Sequence, residues 1–185
     1  MENNFNTLYN NTSKEFRLSD KNLFDVSIGK RVLSTEIQEN KEKGVPVYSA
    51  NVFDVFGYID KELIKDFSQG SVLWGIDGDW MVNTIPANNP FYPTDHCGVL
   101  RVKTNELHYK YVAWTLNKIG TEMRFSRSFR ASIDRIEGIK IPVPPLEIQE
   151  KLVSEIEILE TKIIENEAII KKSASEKQAV LKKYL

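Results

Sequence analysis

The last 40 residues of the chain, Leu146 to Leu185, contain neither glycine nor proline. They follow directly on the prolines of IPVPPLEIQ, which fix the backbone and remove amide donors, so that a helix cannot extend upstream of them. The pattern predicts a helix of roughly 60 Å at ~1.5 Å per residue, longer than a small domain needs to close its core. We therefore expect a globular domain at residues 1–145 and a separate spacer or dimerisation helix at residues 146–185.

The apolar positions of this predicted helix recur every 11 residues, as in Leu159, Ile170 and Leu181. A period of about 3.67 residues gives a nearly straight apolar stripe. Asn166 and Lys177 interrupt the stripe, as polar residues that fix register do in paired helices. Because a soluble monomer rarely exposes so much apolar surface, we predict a homodimer held by antiparallel, coiled-coil-like pairing of two such helices. The predicted interface residues are Leu152, Ile156, Leu159, Ile163 and Ile170.

The formal net charge of −1 does not by itself indicate binding to nucleic acid, but the charges are unevenly distributed. Residues 101–135 hold eight lysines and arginines against three acidic residues, whereas residues 1–100 hold nine against 14. The single cysteine, Cys97, rules out an internal disulfide and fits a reducing cytosol. Because we find no apolar run of transmembrane length and no secretory leader, we expect a cytoplasmic protein without membrane contact.

The sequence before the helix predicts an α+β domain that is rich in strands. Residues 45–59 predict one or two strands with a bend, and residues 71–85 predict a strand pair around an Asp-Gly-Asp turn. Residues 108–126 have apolar side chains at helical spacing, which predicts one internal helix. Residues 133–143 predict a closing strand that runs into the prolines. The asparagine-rich residues 1–15 are expected to form a loose arm or a short cap.

The clearest candidate for a functional site is a basic segment in which arginines alternate with phenylalanines. Arginine binds phosphates and can contact guanine bidentately, so the segment is a candidate DNA-binding surface. A solvated helix end that carries favourable positive charge is the alternative. The arginines are Arg124, Arg127, Arg130 and Arg135. Residues 24–33 predict a strand that leads into a turn, and Lys30 and Arg31 in that turn are weaker candidates for DNA contact. Ser49, Asn51 and Trp80, in loops, are the next candidates.

Other constellations in the sequence lack what their chemistry requires. Residues 89–92 differ from the Asn-Pro-Pro-Tyr loop by which amino-methyltransferases hold a flipped adenine, and no glycine-rich cofactor turn accompanies them. Asp25 with Glu39-Asn40-Lys41 has the spacing of a nuclease site, but the triplet lies in a Lys/Glu-rich loop. Asp77 and Asp79 lack the further ligands of a calcium loop, and the histidines and cysteine are too few for zinc. We expect no catalytic residue, metal or cofactor.

The chain resembles the DNA specificity subunits of type I restriction-modification enzymes over about residues 20–185. The similar features are, in order, GVPVYSANVFDVFGYI, SVLWGIDGDW, GVLRV followed by YKYVAWTL, and RASIDRIEGIKIPVPPLEIQEKLV. The opening of a long helix by IPVPPLEIQ is the most specific of them. The resemblance implies that the globular part is a target recognition domain that reads one half of a split site on double-stranded DNA. It also implies that the helix is a spacer that docks methyltransferase subunits, with restriction subunits as a further potential partner.

Members of that family usually carry two recognition domains and two spacer helices in one chain, whereas this chain carries one of each. The resemblance therefore implies a half-subunit, natural or truncated, which restores the full arrangement as a homodimer and reads a bipartite palindrome. The chain would be non-catalytic, and the methyltransferase would bring the cofactor and flip the adenine. Two alternatives stay open: a helix-mediated assembly module without DNA binding, and a small nuclease.

Overall fold

The computed structural model describes residues 14–40, 42 and 44–184, and within them the chain forms nine strands and three α-helices. This is the strand-rich α+β architecture with a long C-terminal helix that the sequence predicts. The strands are β1 (Lys14–Arg17), β2 (Phe24–Ile28), β3 (Val45–Tyr48), β4 (Gly57–Ile59), β5 (Ser71–Gly75), β6 (Val82–Ile85), β7 (Tyr92–Pro93), β8 (Cys97–Val102) and β9 (Lys140–Val143). The helices are α1 (Tyr109–Glu122), α2 (Ile133–Glu137) and α3 (Leu146–Tyr184). The chain divides into two compact units, residues 1–149 and 150–185.

A four-stranded antiparallel sheet in the order β2-β8-β5-β6 forms the centre of the first unit. Every residue of β5 is buried, which explains why its sequence does not alternate with polar residues. Alternate side chains serve two cores, because successive residues of a strand point to opposite faces. Val72 and Trp74 belong to a core that α1 completes with Leu116, while Leu73 belongs to a second core with Phe91.

Two smaller sheets accompany the central one. Strands β4, β3 and β7 form a three-stranded sheet in which β7 runs parallel to β3, and β1 pairs antiparallel with β9. Residues 1–13, most of the predicted loose arm, lie outside the described residues, while Lys14 and Glu15 form part of β1. The pairing of β1 with β9 joins the first described residues to the segment that precedes α3.

The closing strand predicted over residues 133–143 is wrong in its first half. Ile133–Glu137 form helix α2, and only Lys140–Val143 are extended. Ile136 is fully buried in the first core. A helical turn is shorter than an extended chain of the same length, and it places this side chain in the core. The internal helix predicted over residues 108–126 is observed as Tyr109–Glu122.

The first four residues of α3 belong to the first unit, and one of them is a buried glutamine. Gln149 is fully buried, and its Oε1 accepts a hydrogen bond of 3.0 Å from the backbone N–H of His108. Its Nε2 donates to the carbonyl oxygens of Glu106 and Pro144, both at 2.8 Å. A single side chain therefore joins the loop before α1, the proline segment and the first turn of α3.

Among the described residues, no helix is both long and apolar enough to cross a membrane.

Replacing Gln149 with leucine should lower the free energy of unfolding by about 2–4 kcal/mol, because backbone groups of three other residues, in buried or part-buried hydrogen bonds, would lose their partner. Urea unfolding followed by tryptophan fluorescence measures this change, since all three tryptophans lie in residues 1–149. The matched control is Gln69→Leu at an exposed position, which should be nearly neutral. Equal stability of the two variants would show that the Gln149 network contributes nothing.

Candidate nucleic-acid interface

One end of the central sheet collects the loops that carry the predicted contact residues. Strands β2 and β5 end there at Ile28 and Gly75, while β6 and β8 begin there at Val82 and Cys97. The register fixes this arrangement, because Gly75 pairs with Cys97, and the neighbouring pairs join β2 to β8 and β5 to β6. We call this edge the loop end of the central sheet.

The basic segment, residues 124–135, is tied to the loop end by two hydrogen bonds. The backbone N–H of Ala131 donates to the carbonyl oxygen of Ile76 at 3.0 Å. The indole N–H of Trp74 donates to the carbonyl oxygen of Ala131 at 2.9 Å, and both residues are buried. The arginines on either side of Ala131 are therefore held beside the end of β5 and are not left on a free loop.

Arg124 adopts an unusual backbone conformation at the end of α1. Its φ is 59°, in the left-handed region that glycine occupies most easily. The N–H of Arg124 donates to the oxygen of Thr121 and that of Phe125 to the oxygen of Gly120, which is the Schellman pattern of helix termination. Phe125 is buried immediately after the turn, so the exposed Arg124 lies at a fixed position.

Aromatic rings support the rest of the basic segment. Phe125 packs against Trp80 with ring centroids 5.0 Å apart and stacks on Phe129 at 5.6 Å. The guanidinium of Arg135 lies 4.1 Å from the centre of the Phe129 ring, and its Nη1 donates to the carbonyl oxygen of Arg130 at 2.6 Å. The phenylalanines thus hold the segment in place, as the alternation with arginine suggests.

Trp80, a candidate for DNA contact by sequence, is committed to packing. Its indole N–H donates to the carbonyl oxygen of Asn117 at 3.0 Å, and its ring lies against Gly120, where a Cβ would come within 2.3 Å of it. The half-buried ring joins the β5–β6 turn to α1. Trp80 therefore positions the turn against α1, and its predicted contact with DNA stays a prediction.

Arg130 belongs to a charge network that sequence spacing did not suggest. Its Nη2 lies 3.2 Å from Oδ2 of Asp77, and the same carboxylate lies 2.9 Å from Nδ1 of His96. Asp77 therefore balances part of the positive charge of Arg130. By contrast, Arg124 and Arg127 are exposed and make no ion pair with any described residue. Only the spatial pairing of two distant loops could have revealed this difference.

The second basic pair, Lys30 and Arg31, also lies at the loop end. Gly29 donates its N–H to the oxygen of Cys97 at 3.1 Å, and a Cβ on Gly29 would lie 1.9 Å from the oxygen of Pro93, so only glycine fits this close approach. Ile28 lines an open cleft of about 580 Å³ together with two arginines and two aspartates. The charged lining residues are Arg130, Arg135, Asp95 and Asp134. The end of β2, two residues before Lys30, therefore lines the same cleft as two arginines of the basic segment.

Ser49 and Asn51 follow β3 and reach the same region. The hydroxyl of Thr94 lies 3.1 Å from that of Ser49, and Thr94 precedes the Asp95-His96 pair. The Oδ1 of Asn51 accepts hydrogen bonds from the backbone N–H groups of Phe53 and Asp54, at 3.0 and 3.3 Å. Asn51 therefore shapes its own loop, and its side chain is partly occupied by that task.

The alternative sites considered from the sequence involve metal ligands, nuclease residues and a cysteine. Within the described parts of the chain, no three histidine, cysteine, aspartate or glutamate side chains are placed to hold a metal ion. Of the suspected nuclease residues, Glu39 is exposed, Asp25 lies on β2, and Lys41 falls outside the described residues. Cys97 is buried at the start of β8, and this burial raises the pKa of its thiol to about 12.

Comparison with known proteins identifies relatives of this arrangement. Residues 10–174 match the family described as type I restriction modification DNA specificity domain. A putative type I specificity subunit of Mycoplasma pneumoniae is 29% identical over 136 residues, which are 71% of this chain and 36% of that protein. The specificity subunit of the type I restriction enzyme MpnII from the same organism is 26% identical over 134 residues, 71% of this chain and 40% of that protein.

Solved structures share the fold. The crystal structure of the S subunit of a type I restriction-modification system from M. genitalium has a TM-score of 0.65 at 21% identity, covering 86% of this chain and 41% of that one. The HsdS subunit from Thermoanaerobacter tengcongensis has a TM-score of 0.61 at 17% identity, covering 87% of this chain and 43% of that one. In all four comparisons the matched region is less than half of the relative.

The Cys97 thiol should resist alkylation in the folded protein at pH 8. With its pKa raised to about 12, the thiol stays protonated there, and burial also blocks the reagent. Mass spectrometry after iodoacetamide treatment should show no adduct on the native chain and one adduct in urea. Rapid labelling of the native protein would mean that the start of β8 opens readily, and the loop end would then not be a rigid platform.

Proposed function

We infer the function of this chain from its family: it belongs to the type I restriction modification DNA specificity domains, and we propose that it reads one half of a bipartite DNA site. In this proposal residues 1–145 are the target recognition domain and the helix from residue 146 is the spacer. The chain covers less than half of the length of the curated relatives described above. It performs no catalytic step itself.

The observation that carries the proposal is the convergence of cationic and polar side chains on the loop end. Lys30 and Arg31 follow β2, the basic segment is bonded to β5, and Ser49 is bonded to the loop before β8. The strands thus hold these three segments at the loop end, where they could face one duplex. Phosphate contacts from such cations supply affinity and register, while base-edge contacts supply sequence.

The arginines divide by their surroundings into two functional pairs. Arg124 and Arg127 are the best candidates for phosphate contact, because no carboxylate of the described residues neutralises them. Arg130 and Arg135 are held by Asp77 and Phe129, and their fixed guanidinium planes suit a directed contact such as a guanine edge. A basic surface without such fixed guanidinium groups would bind DNA through its phosphates and would not distinguish sequences.

We propose that a second copy of the chain reads the second half of the site. Several apolar side chains of α3 are exposed, among them Leu159 at 56%, Ile163 at 57% and Ile170 at 68%. Leu152 and Ile156, earlier in the same helix, are half-buried. Antiparallel pairing of two α3 helices would cover the stripe and give a twofold homodimer. A twofold protein reads a palindrome, and the helix length sets the gap between its halves.

The proposed partners are double-stranded DNA and methyltransferase subunits, with restriction subunits as a further partner of the assembled complex. The methyltransferase would bring the cofactor and take the target base out of the duplex. A cytoplasmic location is part of the proposal, because the chain must meet its DNA there. An assembly module without DNA binding would keep the dimer and the methyltransferase contact but lose every DNA effect described below.

Replacing Arg124 or Arg127 with alanine should weaken binding to mixed-sequence duplex DNA. Each lost phosphate contact lowers the slope of log K against log salt by about 0.9. Asp77→Asn should act in the opposite direction, because it removes the negative charge beside Arg130. Fluorescence anisotropy over a salt series measures both effects, on the protein alone and with co-expressed methyltransferase.

The matched control is Arg17→Ala, an exposed arginine of the separate two-stranded sheet, which should leave the slope unchanged. Equal slopes for Arg17, Arg124 and Arg127 variants would place the DNA surface elsewhere. A parent protein that binds no duplex in either form would contradict the recognition function. Divalent-dependent cleavage of the duplex by the chain alone would support the nuclease alternative instead.

Ile163→Glu should convert the homodimer to a monomer, because it puts a charge into the apolar stripe of each helix. Light scattering should then report 21.3 kDa in place of twice that mass. Thr161→Glu adds the same charge on the opposite face of α3 and should remain dimeric. If the unaltered chain is monomeric at high concentration, the pairing proposal does not hold.

A further inference from the structure

Two phenylalanine side chains are exposed in the loop between β3 and β4, in a region already rich in candidate DNA contacts. Phe53 is 60% exposed and Phe56 63% exposed, and Val55 between them is 41% exposed. Neither ring belongs to any of the three core clusters of the described residues. Exposed aromatic clusters of this kind mark binding surfaces. The sequence NVFDVF did not predict this exposure, since its pattern is typical of a strand.

The loop that carries these rings is firmly built. Val52, one residue before Phe53, is fully buried in the second core, and its carbonyl oxygen accepts a 2.7 Å hydrogen bond from Nδ2 of Asn83. The backbone N–H of Phe56 donates to the oxygen of Val47 at 2.8 Å. The Asn51 side chain fixes the turn between these two points. The rings are thus displayed by a rigid support, and ordering them on a partner costs little entropy.

The loop also begins at the loop end of the central sheet. Ala50 lies against Gly75, where a Cβ would come within 2.3 Å of the Ala50 oxygen. The backbone N–H of Thr94 donates to the oxygen of Tyr48 at 2.9 Å, which joins the base of the loop to the segment before His96. His96 in turn contacts Asp77. The aromatic loop and the basic segment therefore arise from the same edge of the fold.

The charge of the loop decides which part of a duplex it can face. Asp54 lies between the two phenylalanines, and its Oδ2 accepts a 2.8 Å hydrogen bond from Nδ2 of Asn51. A carboxylate is repelled by phosphate, but its free lone pairs can accept from the amino group of cytosine. Two apolar rings beside one carboxylate therefore suit the base pairs and not the backbone.

We propose that Phe53 and Phe56 enter a groove of the bound duplex and wedge against base pairs, so that the loop senses how easily a base step opens. This inference rests on the DNA-recognition function proposed above. Apolar side chains inserted between base steps unstack and bend DNA, and aromatic rings gain energy by stacking on bases. Pyrimidine–purine steps open most easily, so the preferred half-site contains such a step where the loop lies.

The test uses the full chain, with and without co-expressed methyltransferase, and a pool of random-sequence duplexes. Phe53→Ala and Phe56→Ala should each reduce the affinity for the selected sites about 10-fold, within the range for removal of a base-stacking ring. The salt slope should stay unchanged, because no phosphate contact is lost. Sequencing of the bound pool should show loss of the pyrimidine–purine preference. Phe53→Trp and Phe56→Trp should retain the affinity, and Tyr184→Ala, an exposed aromatic of α3, is the control.

The outcomes separate the wedge from the wider proposal. If the alanine variants bind and select as the parent does while the Arg124 and Arg127 variants weaken binding, the wedge is overturned and DNA recognition stands. If the alanine variants instead lose only their co-purification with methyltransferase, the loop is a protein-docking surface and the wedge is again overturned. A parent that binds no duplex overturns both.

Discussion

The burial of Trp74 in the central sheet is the interaction on which the arrangement of the first unit depends. The ring is fully buried and lies over Gly98 of the neighbouring strand, where any Cβ would come within 2.0 Å of it. Its indole N–H reaches out of the core to the oxygen of Ala131. A buried indole must find such an acceptor. The same contact that satisfies the core therefore fixes the basic segment at the loop end.

The core residues and the candidate DNA-contact residues occupy different positions along the strands. The middles of β5 and β8 carry mainly apolar side chains that serve two cores, and Arg101 of β8 is the half-buried exception. Charged and aromatic residues that lack a core role occur where the strands stop. A rigid sheet can thus carry loops of quite different sequence at one end.

The electrostatics of the loop end are more balanced than its arginines suggest. Asp77, Asp95 and Asp134 lie among the cations, and the whole chain has a formal net charge of −1. A strongly basic surface would bind any duplex through its phosphates. Acidic neighbours reduce that sequence-independent attraction, which would leave more of the affinity in the proposed DNA complex to contacts with bases.

The sequence by itself determined the elements whose cause is local. The prolines before residue 146 and the glycine-free run after them predict α3, and the alternation and helical spacing predict most of the strands and α1. The family follows from the same motifs. Helix α2 was missed because five residues give too little periodicity to distinguish a single helical turn from a strand.

Only the tertiary structure decided which of the predicted site residues share one surface and which are already engaged. Asp77 meets Arg130 across 53 residues, and Ser49 meets Thr94 across 45. Such contacts depend on the order of strands in the sheet, which is set by long-range packing and leaves no local pattern in the sequence. For the same reason the sequence could not show that Trp80 lies against α1 or that Phe53 and Phe56 remain exposed.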